Sequence, residues 1–90
     1  MPDIVKSINI PEAERRWMKT EGLNKLNELR EDMQIKYSGK VFIDNFRTNK
    51  RGDRLYVNLF AIAELFQEIV SEFNEILSEH EMDLEGPYLP

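Results

Sequence analysis

Between Arg47 and Arg54 the chain reads RTNKRGDR, four basic side chains in eight positions. Arg47, Lys50, Arg51 and Arg54 at that density form a set able to contact phosphates, each contact adding salt-dependent affinity. The competing reading is a solvated turn whose charges discourage edge pairing, and a pI near 4.9 weighs toward it. Arg51-Gly52-Asp53 matches an adhesion tripeptide, but that role needs export. The N-terminus MPDIVKSINI has neither the basic start nor the apolar core of a signal peptide. The cytoplasm is therefore the expected location.

Two other groups of residues invite a chemical reading. Glu64, Glu68, Glu72, Glu75 and Glu79 recur every three or four residues with no lysine among them. Like charges at that spacing destabilise a helix by a few tenths of a kcal/mol each, roughly, so the ridge is either plain solvated surface or a dock for a basic protein partner, where charge speeds encounter. Phe42, Phe46, Tyr56 and Phe60 fall on one side of a predicted hairpin. Such a face serves as a protein or dimer interface when it is apolar and contiguous; next to a basic turn it also fits base stacking in a nucleic-acid binder. The protein interface is the preferred reading.

Enzyme chemistry finds little support. With no cysteine there is neither a disulfide framework nor a thiolate metal site, and the single His80 excludes a His-rich zinc cluster. Asp44 beside Asn58 would be one carboxylate and one amide without nucleophile, base or oxyanion donor. His80, near a helix C-terminus, is expected only to complement the helix dipole. The expectation is a non-enzymatic binding module of adaptor, inhibitor or immunity type, with no cofactor, no metal and no membrane contact, forming a homo-oligomer such as a dimer. Nucleic-acid binding through the basic turn and the aromatic face is the alternative.

The elements that must position these residues follow from spacing. Ninety residues suit one domain, here 1–85, followed by an extended tail at 86–90 that Gly86-Pro87 and Pro90 keep from being helical. Charge is uneven along it: the twelve bases and nine of the acids lie before Leu55, and the other eight acids lie after it with no base. Ile4, Ile8 and Ile10 alternate as in a half-buried strand. Pro11 suits the first position of a helix, and Leu23, Leu26, Leu29 and Met33 keep one face. Trp17 lands nearly opposite that stripe, so the helix is expected to bend or restart near Gly22, the alternative being one helix with Trp17 packed elsewhere. Gly39 marks its end.

Runs 40–48 and 53–60 then form a hairpin. Asn49-Lys50-Arg51-Gly52 fits a type I turn with Gly52 left-handed, which pairs Phe46 with Tyr56, Asp44 with Asn58, Phe42 with Phe60, and Asn49 with Asp53. Residues 61–80 read as a helix whose apolar face is Ile62, Leu65, Phe66, Ile69, Phe73, Ile76 and Leu77. The predicted fold class is α+β: a two-layer β-α-β-β-α domain, with a small antiparallel hairpin-centred sheet of three strands and two helices on one face.

Overall fold

A computed structural model describes residues 3–84, with side chains from Lys6 onward. The predicted tail at 86–90, with Tyr88 and Leu89, lies outside the described residues. The fold is the expected mixed α+β arrangement. Strand β1 (Asp3–Asn9) leads into a 3-10 turn (Glu12–Glu14), helix α1 (Arg15–Trp17), a π turn (Met18–Gly22) and helix α2 (Leu23–Lys36). Strands β2 (Val41–Ile43), β3 (Arg47–Thr48) and β4 (Arg54–Ala61) follow, and helix α3 (Ala63–Ser78) closes the order. The sheet is antiparallel with β4 central, β1 on one side and β2 and β3 in succession on the other. It has four strands rather than three, because the first arm of the hairpin is interrupted.

The alternation along β4 sets the two layers. Leu55, Val57, Leu59 and Ala61 are buried, whereas Arg54, Tyr56, Asn58 and Phe60 are only partly covered. Leu26 and Met33 of α2 and Phe66, Ile69, Val70, Phe73 and Leu77 of α3 complete the same core. Each of the larger of these side chains contributes about 1.5–3 kcal/mol by leaving water. No helix packs on the other face of the sheet among the described residues.

The first helix resolves the conflict at Trp17 without restarting. Backbone angles at Trp17, Met18, Gly22 and Leu23 are all right-handed helical, and the Leu23 N–H bonds to the Met18 carbonyl five residues back. A straight helix would hold Trp17 and Gly22 roughly 140° apart. The wider π turn brings positions five apart together, and the Trp17 ring lies directly over Gly22, within 2.6 Å of where a Cβ would stand. Pro11 sits just outside the 3-10 turn rather than at its first position, its carbonyl accepting from Glu14 N at 2.8 Å.

The hairpin register holds for half its length. Val41 faces Ala61, Phe42 faces Phe60 and Ile43 faces Leu59 as expected, but Arg47, not Phe46, faces Tyr56. One extra residue between Ile43 and Arg47 makes a bulge and turns Phe46 into the core, 2% exposed, its ring 4.9 Å from that of Phe73. The expectation that Phe46 shares a face with Phe42, Tyr56 and Phe60 is thus corrected.

Helix α2 supplies the reason. The Asn27 amide accepts from Phe46 N at 2.7 Å and donates to Phe46 O at 3.2 Å, Arg30 donates to Ile43 O at 2.9 Å, and Gln34 accepts from Ile43 N at 3.0 Å. These three side chains, spaced three and four apart, stand where a further strand would pair, so that sheet edge is closed by a helix. Both ends of the hairpin need a left-handed residue: Gly39 has φ +80° and Gly52 φ +75°. The Asn49–Gly52 turn forms as predicted, with Gly52 N donating to Asn49 O at 3.1 Å. Because the register has slipped by one, Asn49 N pairs with Arg54 O, not with Asp53.

Candidate functional site

Three surfaces carry the residues singled out from the sequence. The first is the face of the sheet on which no helix packs among the described residues. Phe42 is 53% exposed, and its ring centroid lies 6.4 Å from that of Phe60. Along the same face the Arg47 guanidinium stands 5.8 Å from the centre of the Tyr56 ring, within cation–π range. Arg54 donates to the Ser7 hydroxyl at 2.9 and 3.2 Å, which fixes it across β1. Asp44, whose N–H bonds Asn58 O at 2.9 Å, continues the register of Phe42. The face is therefore a row of three aromatic rings with two arginines and one carboxylate around it.

The second surface is the outward side of α3. Glu64, Glu68, Glu75 and Glu79 are exposed and Glu72 is partly so. Glu79 lies just past the last helical residue. The nearest relief comes from the neighbouring helix. Lys36 is held above the ordinary lysine value, first by the Tyr37 side chain and then by the carboxylates of Glu72 and Glu68. Because α3 packs on the inner face of the sheet, this ridge and the aromatic row occupy opposite layers of the molecule. A single flat partner cannot touch both.

The third surface was not anticipated. A cleft of about 460 Å³ opens between the start of the first helix and the hairpin tip. Arg15, Arg16 and Lys19 line one wall and Lys50 and Arg51 the other. Met18 and Leu23 form an apolar floor, and Thr48, Asn49 and Gly52 complete the rim. Of the four bases predicted to contact phosphates, Lys50 and Arg51 lie in this cleft, while Arg47 and Arg54 belong to the sheet face.

None of the five cleft bases forms an ion pair within 4.0 Å among the described residues. Arg15 is anchored by donation from Nε to Ile10 O at 3.0 Å. No carboxylate lines the cleft, but Asp53 beside its rim accepts from Asn49 Nδ2 at 2.6 Å. That hydrogen bond first, and then the charges of Arg15 and Arg51, lower its pKa below the ordinary 3.8. The sequence carries only a weak signal for the helical wall: Arg15, Arg16 and Lys19 lie close together, but Glu12 and Glu14 precede them within a turn, unlike the unrelieved glutamates of α3.

His80 does more than complement a dipole. Its ring stacks on Trp17 with centroids 3.4 Å apart and planes 14° from parallel, and Nδ1 lies 2.6 Å from Glu14 Oε1. This contact ties the end of α3 to the start of the first helix. Helix α3 closes through Met82 N donating to Leu77 O at 3.0 Å, with Glu81 left-handed at φ 60°, the geometry of a Schellman stop.

Among the described residues no group of three or more His, Asp or Glu side chains is placed to hold a metal ion, and no helix is long and apolar enough to cross a membrane. No protein-family model matches the chain, and neither a curated protein nor a solved structure matches it.

Proposed function

We propose that this chain is a small non-enzymatic protein-binding module that pairs with a second copy of itself through the open sheet face and presents the acidic surface of α3 to a basic protein partner. The observation that carries the reading is the two-layer geometry. The aromatic row and the glutamate ridge point away from each other, so they serve two contacts rather than one. The sheet face has the makeup of an interface, with aromatic residues at its centre and arginines at its edge. It also carries both signs of charge, Asp44 against Arg47 and Arg54. A two-fold pairing sets each patch against its own copy, which lets acid meet base reciprocally. The ridge, left on the outside of such a dimer, meets its partner by charge.

The test is the mass in solution. Light scattering and sedimentation should give a dimer for the native chain and a monomer for Phe42→Ser combined with Phe60→Ser. A native chain that stays monomeric at high concentration refutes the pairing. For the ridge, Glu68→Lys with Glu75→Lys should abolish capture of a basic protein; unchanged capture removes that half of the proposal. A second reading, single-stranded nucleic acid on the same sheet face, is favoured only by the Arg47 guanidinium over the Tyr56 ring. It requires oligonucleotide binding that Tyr56→Ser and Arg47→Ser both weaken.

A further inference from the structure

We infer that the cleft between the first helix and the hairpin tip is a binding site for a compact oligophosphate of the nucleoside-polyphosphate class. The inference is independent of the sheet-face pairing, because none of Phe42, Tyr56 and Phe60 lines this cleft.

In a chain of net charge −5, five bases from two elements distant in sequence converge on one cavity. With no ion pair within 4.0 Å for any of them among the described residues, they repel one another. Asp53 feels the charges of Arg15 and Arg51 from beside the rim, and no carboxylate lines the cleft itself. Nothing in the packing of the core demands this, since Arg16, Lys19, Lys50 and Arg51 are all exposed. An anion bridging the two walls would remove the repulsion and gain charge-assisted hydrogen bonds from guanidinium and ammonium groups together.

Size and surroundings choose the kind of anion. A volume of about 460 Å³ falls in the range of small-molecule sites. The floor of Met18 and Leu23 gives an apolar body something to rest on while the phosphates meet the bases. Outside the five cleft bases the chain carries seven bases against seventeen acids, so the outer charges of a long polyanion leaving the cleft would be repelled on balance. A compact oligophosphate feels only the local positive field. The ligand class is thus a short phosphate chain, with or without a nucleoside.

The experiment is calorimetric titration of the purified chain with sodium triphosphate, with a nucleoside triphosphate, and with a short single-stranded oligonucleotide, at matched ionic strength. Saturable binding of one oligophosphate per chain is expected. Each of two double variants, one per wall, Arg16→Glu with Lys19→Glu and Lys50→Glu with Arg51→Glu, should weaken it by about tenfold or more. Circular dichroism of both variants should match the native chain, since all four positions are exposed. Tighter binding of the nucleoside form assigns the apolar floor to the base, and equal affinities assign the site to the phosphate chain alone; either supports the inference. Absence of triphosphate binding overturns it, as does affinity retained in either folded double variant. Oligonucleotide binding without triphosphate binding also overturns it and makes the cleft a nucleic-acid groove.

Discussion

Replacing Gly22 by alanine sets two well-defined effects against each other. Glycine in a helix interior costs about 0.8–1 kcal/mol relative to alanine, so at an unconstrained helical position the change would stabilise the protein. Here the new Cβ would stand 2.6, 2.8 and 2.9 Å from three atoms of the Trp17 ring, where carbon atoms rest at about 3.5–4.0 Å. The ring would have to move by nearly 1 Å, and it is already stacked on His80 with centroids 3.4 Å apart.

Overpacking of this kind costs about 1–3 kcal/mol, and loosening the stack adds about 0.5–1.5 kcal/mol at most. After subtracting the propensity gain, Gly22→Ala should destabilise the fold by about 0.5–3.5 kcal/mol. For a domain of this size that is a fall in Tm of several degrees or more, at about 4–8 °C per kcal/mol. Urea denaturation followed by circular dichroism measures the change, and the fluorescence of Trp17, the only tryptophan, reports the ring itself. The decisive form is a double-mutant cycle. In a Trp17→Ala background the same substitution should turn stabilising by about 1 kcal/mol, because only propensity remains. A stabilising Gly22→Ala in the native background, with unchanged emission, would refute the packing of Trp17 across the π turn.

Three further outcomes follow from the packing. Asn27→Ala leaves both backbone groups of Phe46 without their side-chain partner, and should cost about 2–4 kcal/mol in chemical denaturation at about 1–2 kcal/mol per stranded group, the lower part of the usual range because both are only part-buried; a loss below about 0.5 kcal/mol would mean that the amide does not hold the bulge. Phe46→Ala should cost about 3–5 kcal/mol as a core truncation, whereas Phe42→Ala, measured at dilution, should stay within about 0.5 kcal/mol as a surface change; equal effects would return Phe46 to the open face. Asp53 should titrate below 3.8 in carboxyl NMR and move back up in Asn49→Ala. Because its folded pKa is lowered, its stabilisation is complete above the ordinary value and lost as pH falls through the folded one, so the variant should narrow the stability difference between neutral pH and pH below 3.8.

The parts of the fold legible in the sequence are those that local patterns determine. The Asn49–Gly52 turn needs only its own residues, and helix α3 needs only its apolar spacing, so both stand where they were expected. The paired faces of β4 follow from strict alternation. Phe46 was misplaced because its position depends on Asn27, nineteen residues earlier, whose amide imitates a neighbouring strand. No alternation rule within the hairpin carries that information. The mismatch of Trp17 with the leucine stripe was visible, but its resolution by a π turn depends on Gly22 lying under an indole held by His80, a contact between opposite ends of the chain. The cleft was half visible for the same reason: its hairpin wall stood out as a basic run, and its helical wall joins it only through the tertiary fold.

The two charged surfaces share a physical cost that bears on how copies of this chain meet. Five glutamates on the α3 side and five bases around the cleft each repel within their own group, and no glutamate of α3 lines the cleft to relieve it. If the ridge of one copy entered the cleft of the next, the contact would join two different patches, and such head-to-tail contacts grow into rings or open filaments rather than closed pairs. That growth would be driven by charge and would dissolve as salt shortens the reach of the attraction, to about 10 Å at 0.1 M. Pairing through Phe42, Tyr56 and Phe60, as proposed, would be isologous, would close at two copies, and would rest mainly on apolar area, which salt does not screen. An oligophosphate in the cleft would block the first mode and leave the second untouched. The aromatic face and the basic cleft are therefore separable by experiment: the mass of the dimer should be indifferent to salt and to triphosphate, while any larger, salt-soluble assembly should shrink when triphosphate is added.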